Sequence, residues 1–325
     1  MGGNGSGMER VMTQVEDRVV GLLFPGQGVQ EVGMGRSFRE ADADAREMLR
    51  KADQVLGYEL TRLCMEGPAE QLTRADRAQP AICVVSVMAL NAVLRRIPQL
   101  KPVCAAGLSS GEWAALHAAG VVGFEDALRI LQARGRFMQE ACEATSGGMT
   151  SIIGLPAEKV VEICRATGVQ AANFNSPLQT VISGPLERLP AAEKAAREAG
   201  ARRVIRLRVA GAFHSELMRP AAEKLRGLIA EVEFREPRFP VVSNVTGLPH
   251  GTPDEIRELM VRQVYEPVKW VDCMRWMLSQ GVKDYLECGP GRVLAGLAKG
   301  IDKTVRVLNI PDHSALETAA SAFSQ

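Results

Sequence analysis

Histidine is scarce: the 325-residue sequence has four, His117, His214, His250 and His313. None stands near another His or a Cys at the spacing of metal ligands, which argues against a zinc enzyme. The seven cysteines, at 64, 83, 104, 142, 164, 273 and 288, contain no CxxC pair. Their odd number and scatter exclude a disulfide framework and fit buried, reduced thiols in a cytoplasmic protein. An excess of either charge is also missing, with 39 Lys+Arg against 38 Asp+Glu. The strongly basic surface usual for nucleic-acid binding is therefore not expected. The longest apolar stretch, Ala81 to Leu94, has about 14 residues, short of the ~20 of a spanning helix, so no membrane segment is expected. Met1-Gly-Gly-Asn-Gly-Ser-Gly followed by Met8 reads as a flexible added leader without the apolar region of a signal peptide.

What is present is an ordinary globular composition, 46% apolar and 24% charged. It suffices for one large domain, or one carrying a smaller insertion. Short β-branched runs alternate with amphipathic stretches, the α/β pattern. Strands are expected at Val19–Phe24, Val103–Gly107 and Pro240–Asn244, and helices at Glu112–Ala119 and Phe124–Ala144. Between 145 and 213 the pattern tightens to strand, helix, strand, strand, helix, strand. It closes on Val204-Ile-Arg-Leu-Arg-Val209, whose alternation predicts a half-buried strand with Ile205, Leu207 and Val209 inward. The fold expected is a large α/β-hydrolase-like subdomain, 19–144 and 214–325, with a ferredoxin-like (βαββαβ) subdomain inserted at 145–213. Residues 1–18 form the leader and N-terminal extension.

The strongest chemical signal is Gly107-Leu-Ser-Ser-Gly111, a GxSxG sequence between an expected strand and an expected helix. Two glycines permit the sharp turn that presents Ser109, and the helix start aims N–H groups at any anion formed there. A serine needs a base, a contribution of ~10²–10⁴-fold. His117 lies on the elbow helix pointing away, and His250 sits in an exposed turn. His214, at the junction after Gly211-Ala-Phe, and His313, near the C-terminus, both remain candidates. Pro25-Gly-Gln-Gly28 with Gly33 and Gly35 lacks the register and the Lys-Ser/Thr ending of a phosphate loop.

Several motifs together resemble the malonyl-CoA:acyl carrier protein transacylases. They are Leu23-Phe-Pro-Gly-Gln-Gly28, the GxSxG with Glu112, Arg134-Gly-Arg-Phe-Met-Gln-Glu-Ala141, Ala172-Asn-Phe-Asn-Ser-Pro177, Gly211-Ala-Phe-His214, Gln263 and Glu287-Cys-Gly-Pro-Gly291. They run in order from about residue 19 to 310, at family-like spacing. The resemblance implies that Ser109 accepts the acyl group and that His214 is its base. It implies no carboxylate partner, the imidazole being oriented by a backbone carbonyl near Gln263. Gln27 and Ser110 would supply oxyanion N–H groups. Arg134, which by residue type alone fits a surface ion pair, would grip the malonyl carboxylate as a bidentate fork. Leu108, Met138, Phe213 and Asn175 would line the acyl pocket, with Asn173 supporting its wall.

The implied reaction is ping-pong malonyl transfer from malonyl-CoA to the phosphopantetheine thiol of acyl carrier protein, for fatty-acid or polyketide synthesis. It needs no metal or redox cofactor, and the enzyme would be a cytoplasmic monomer. Carrier proteins being acidic, Arg202, Arg203, Arg206 and Arg208 are candidates for docking. Leu108 departs from the family's usual histidine before the nucleophile, and Trp113 from its commoner tyrosine. Two rivals remain: an acyl hydrolase on the same scaffold, and a non-catalytic module that binds carrier protein.

Overall fold

The computed structural model describes residues 17–323, so the Gly-rich leader lies outside the described residues. Its strands are β1 (Arg18–Phe24), β2 (Leu100–Gly107), β3 (Gly147–Ile153), β4 (Gln170–Ser176), β5 (Gln179–Pro185), β6 (Arg203–Arg206), β7 (Val241–Val242), β8 (Asp284–Cys288) and β9 (Arg306–Ile310). They form two sheets, one parallel in the order β7-β2-β1-β8-β9 and one antiparallel in the order β4-β5-β3-β6. The architecture is mixed α/β.

β1 lies at the centre of the parallel sheet, with Leu22, Leu23 and Phe24 fully buried. Such a strand is apolar on both faces because helices cover both sides of the sheet. Phe24 is in register with Gly107, and the Leu108 amide donates to the Phe24 carbonyl at 2.9 Å. The carboxyl ends of β1 and β2 therefore deliver Pro25–Gly28 and the serine turn side by side. That end of a parallel sheet is where ligands bind in open α/β folds.

Two long helices frame this crevice. Ala75–Arg96 contains the apolar run noted in the sequence and has the length and composition to cross a membrane, but 83% of its most apolar window is buried within the fold. It packs along Phe124–Ala144, and the crossing is close: a Cβ on Gly135 would stand 2.4 Å from the Ala75 carbonyl group. Only glycine fits there, and the contact sets Arg134 opposite Gln79.

The helices Ala157–Thr167 and Leu189–Glu198 pack Val160 and Ala192 over Ile152 and Ile182 of the antiparallel sheet. This sheet joins the larger body where Phe174 N donates to Val268 O at 2.9 Å and Val268 N to Ala172 O at 2.8 Å. The strand expected over 204–209 stops at Arg206, and the alternation fails. Ile205 is 44% and Val209 38% exposed, while Val204 and Leu207 pack inward. β6 is an edge strand bonded only to β3, and beyond it the chain turns to line the crevice. All seven cysteines are buried and unbridged.

Candidate active site

The serine turn is built from glycines at close approaches. A Cβ on Gly107 would lie 2.0 Å from the Gly111 backbone, and one on Gly111 would lie 2.2 Å from the Phe24 carbonyl oxygen. Ser109 itself is held at φ 52°, the left-handed region. Asn244, just past β7, clamps it. Its Oδ1 accepts from Ser109 N at 2.7 Å, and its Nδ2 donates to Gly107 O at 2.8 Å. The carbonyl of Pro240 and the pairing of β7 with β2 bring that loop to the elbow.

Ser109 Oγ lies 2.8 Å from His214 Nε2. His214 Nδ1 faces only oxygens, the carbonyls of Gln263 at 2.9 Å and Glu266 at 3.2 Å. Nδ1 therefore carries the hydrogen, and Nε2 offers its lone pair to the serine. Burial, then the nearby Arg134 charge, hold the imidazole down at about 4, against the opposing effect of the two carbonyls. It is therefore a neutral acceptor at ordinary pH.

Arg134 is 1% exposed, so the surface ion pair suggested by residue type is not what is found. Its Nη1 donates to Gln79 Oε1 at 2.8 Å, and its Nη2 donates to Gln263 Oε1 at 3.0 Å and to Ser109 Oγ at 3.2 Å. Nε is buried without a partner. Burial lowers its pKa to about 10, opposed by Glu112. An arginine held among neutral groups, with donors spare, is prepared for an incoming carboxylate.

Behind these groups lies a polar layer in which Gln263, expected to orient the base, is joined to Glu112 and His250. Gln263 Nε2 donates to Ser109 O at 2.8 Å and to Glu112 Oε2 at 2.6 Å, while its main-chain carbonyl holds His214. Glu112 is fully buried and also accepts from His250 Nε2 at 2.7 Å. His250 is thus interior rather than exposed, because its turn folds back beside β7. One signal was available: a glutamate in the first turn of the largely apolar helix Gly111–Ala118 needs a buried partner.

The crevice has a volume of ≈ 480 Å³. Ser109, His214, Arg134, Gln27, Leu108, Met138, Phe213, Asn173 and Asn175 all reach its wall, whereas Ser110 and Gln263 stand behind it. The Gln27 and Ser110 amides have no backbone partner among the described residues. Of the four candidate arginines, Arg208 lines the crevice mouth, whereas Arg206 pairs with Glu193 at 2.7 Å. His117 bonds the Val122 carbonyl, and His313 packs edge-on to Phe38, both away from Ser109. Among the described residues no group of three or more His, Cys, Asp or Glu is placed to hold a metal ion.

A serine bonded to a neutral imidazole, with a buried cation at the same oxygen, is equipment for acyl transfer, and residues 22–319 match the acyl transferase domain family. The malonyl CoA-acyl carrier protein transacylase of Bacillus subtilis is 37% identical over 94% of this chain and 98% of its own length. That of Escherichia coli is 40% identical over 92% and 97%. Among solved structures, the Coxiella burnetii transacylase has a TM-score of 0.92 at 35% identity, covering 96% of this chain and 99% of that one. A malonyl-transacylase in complex with a type II PKS acyl-carrier protein has a TM-score of 0.90 at 38% identity, covering 94% and 100%. The chain belongs to the malonyl CoA-acyl carrier protein transacylase family.

Proposed function

We propose that this chain transfers the malonyl group of malonyl-CoA to the phosphopantetheine thiol of acyl carrier protein, through an ester on Ser109. Ser109 Oγ attacks the thioester carbonyl while its proton passes to His214 Nε2. The C–S bond then breaks, and the proton returns from Nε2 to the CoA sulfur. In the second half the carrier thiol gives its proton to His214 and takes the malonyl group, and Ser109 recovers its proton. Gln27 and Ser110 amides stabilise the oxyanion in both halves, a donor of this kind being worth about 10²–10³ in rate. Met138, Phe213, Leu108 and Asn175 bound the acyl group, and Gln263 orients the base through its carbonyl.

The observation that carries this reading is the buried Arg134 with Nη2 at Ser109 Oγ, since a hydrolase of simple acyl chains has no use for such a cation. The same fit disfavours a non-catalytic binding module. Carrier protein docks at the crevice mouth beside Arg208, and the reaction needs no metal or redox group beyond its substrates, a CoA thioester and a carrier thiol. The setting is cytoplasmic, with the chain acting as a monomer.

The strand order β4-β5-β3-β6 with helices after β3 and β5 supports a ferredoxin-like insertion at 145–213 in an α/β-hydrolase-like body, 19–144 and 214–325. Intact mass measurement after incubation with malonyl-CoA tests the central step. A malonyl adduct is expected on the wild-type enzyme and none on Ser109→Ala, and an adduct on both variants would overturn the assignment.

A further inference from the structure

Two groups that become or stay positive during the reaction face each other across one oxygen. Arg134 Nη2 is 3.2 Å and His214 Nε2 2.8 Å from Ser109 Oγ. Both side chains are buried, so little water screens the guanidinium from an imidazolium. The protein leaves Arg134 without an ion pair among the described residues, since its hydrogen-bond partners Gln79, Gln263 and Ser109 are all neutral. Glu112, the carboxylate that favours its charge, stands behind the Gln263 amide and is held by His250.

We infer that the substrate's own free carboxylate activates the base: by pairing with Arg134 it cancels the charge opposing imidazolium formation at His214. Malonyl thioesters are then selected in the proton-transfer step as well as in binding. This rests on the malonyl reading above. An acetyl thioester makes and breaks the same bonds, Oγ–C formed and C–S broken with the proton on Nε2 between, but leaves two like charges across Oγ.

Among the described residues no other group near the dyad substitutes for that carboxylate. Glu266 lends His214 its carbonyl, while its side chain pairs with Arg262 at 2.7 Å. Glu70, Arg74 and Arg208 lie at the exposed crevice mouth, where water screens them. His214 is held at about 4 by burial first and by Arg134 second, so neutralising Arg134 leaves the burial effect and removes the other. The expected rise is about one pH unit.

The test compares pH profiles of Ser109 loading by malonyl-CoA and acetyl-CoA, alongside NMR titration of His214 with amide analogues of both thioesters bound. The base must be unprotonated, so a raised pKa moves the acid limb to higher pH. For kcat the midpoint is expected about one unit higher with malonyl-CoA, while kcat/KM, reporting the free enzyme, shares one midpoint. The His214 resonance should titrate correspondingly higher with the malonyl analogue, and Arg134→Met should raise it in the free enzyme. Coincident kcat midpoints, equal titrations with the two analogues, or an unmoved resonance in Arg134→Met would each overturn the inference. The two wild-type comparisons need no variant to fold. Failure to form any malonyl ester would instead sink the proposed function, a distinct result.

Discussion

Ser109 and His214 are the two non-glycine residues at positive φ among the described residues, 52° and 54°, and their side chains meet at 2.8 Å. Each such backbone costs roughly 1–2 kcal/mol and persists only where neighbours over-determine it. Asn244 supplies that constraint at Ser109, and the Gln263 and Glu266 carbonyls supply it at His214. The strain aims Oγ and Nε2 at each other without substrate.

Relief of that strain separates stability from activity. Ser109→Gly and Ser109→Ala should both lose malonyl loading, but only the glycine variant tolerates φ 52° freely. Urea unfolding should find it about 1 kcal/mol more stable than the alanine variant. Equal stabilities would show that the turn is unstrained.

Arg134→Ala should lower kcat/KM for malonyl-CoA by at least about 10²-fold, because the substrate carboxylate loses its bidentate partner. Loading from acetyl-CoA should hold or rise, because the charge opposing the imidazolium is gone. Initial rates with the two thioesters measure the ratio, and an equal loss of both would remove Arg134 from substrate recognition.

Gly135 links the helix crossing to the site. A Cβ there would meet the Ala75 backbone at 2.4 Å, so Gly135→Ala must push the helices apart and draw Gln79 away from Arg134. The expected cost is about 1–3 kcal/mol in stability, with weakened malonyl loading alongside. Thermal unfolding and loading rates check it together.

Stability should also depend on pH through His214, whose pKa is lowered from 6.5 to about 4 in the fold. The unfolded chain takes its proton first as pH falls, so this contribution is present above about 6.5 and lost on the way down to about 4. It amounts to about 3 kcal/mol. His214→Asn, a residue that accepts a positive φ, should flatten this part of the curve in denaturant unfolding at stepped pH.

Much of this was legible in the sequence. The helix Phe124–Ala144 has the limits its periodicity suggested, and the serine turn lies between a strand and a helix as its glycines required. β6 was overextended because Arg206 and Arg208 alternate with apolar residues, a pattern equally suited to an edge strand leading into a crevice wall. Position alone left His214 and His313 tied, and the structure places only the former at Ser109. The roles of Asn244, Gln79 and His250 were not legible because each acts through a partner distant along the chain, such as His250 on Glu112. Local pattern carries no record of such pairings.

The central claim is that Ser109 passes its malonyl group to a carrier thiol rather than to water. Malonyl-enzyme freed of CoA can be divided between buffer and phosphopantetheinylated acyl carrier protein, and the fate of the acyl group followed by mass. The ester is predicted to persist in buffer and to reappear on the carrier within the mixing time of a rapid-quench experiment. Release as free malonate at the same rate in both samples would contradict it.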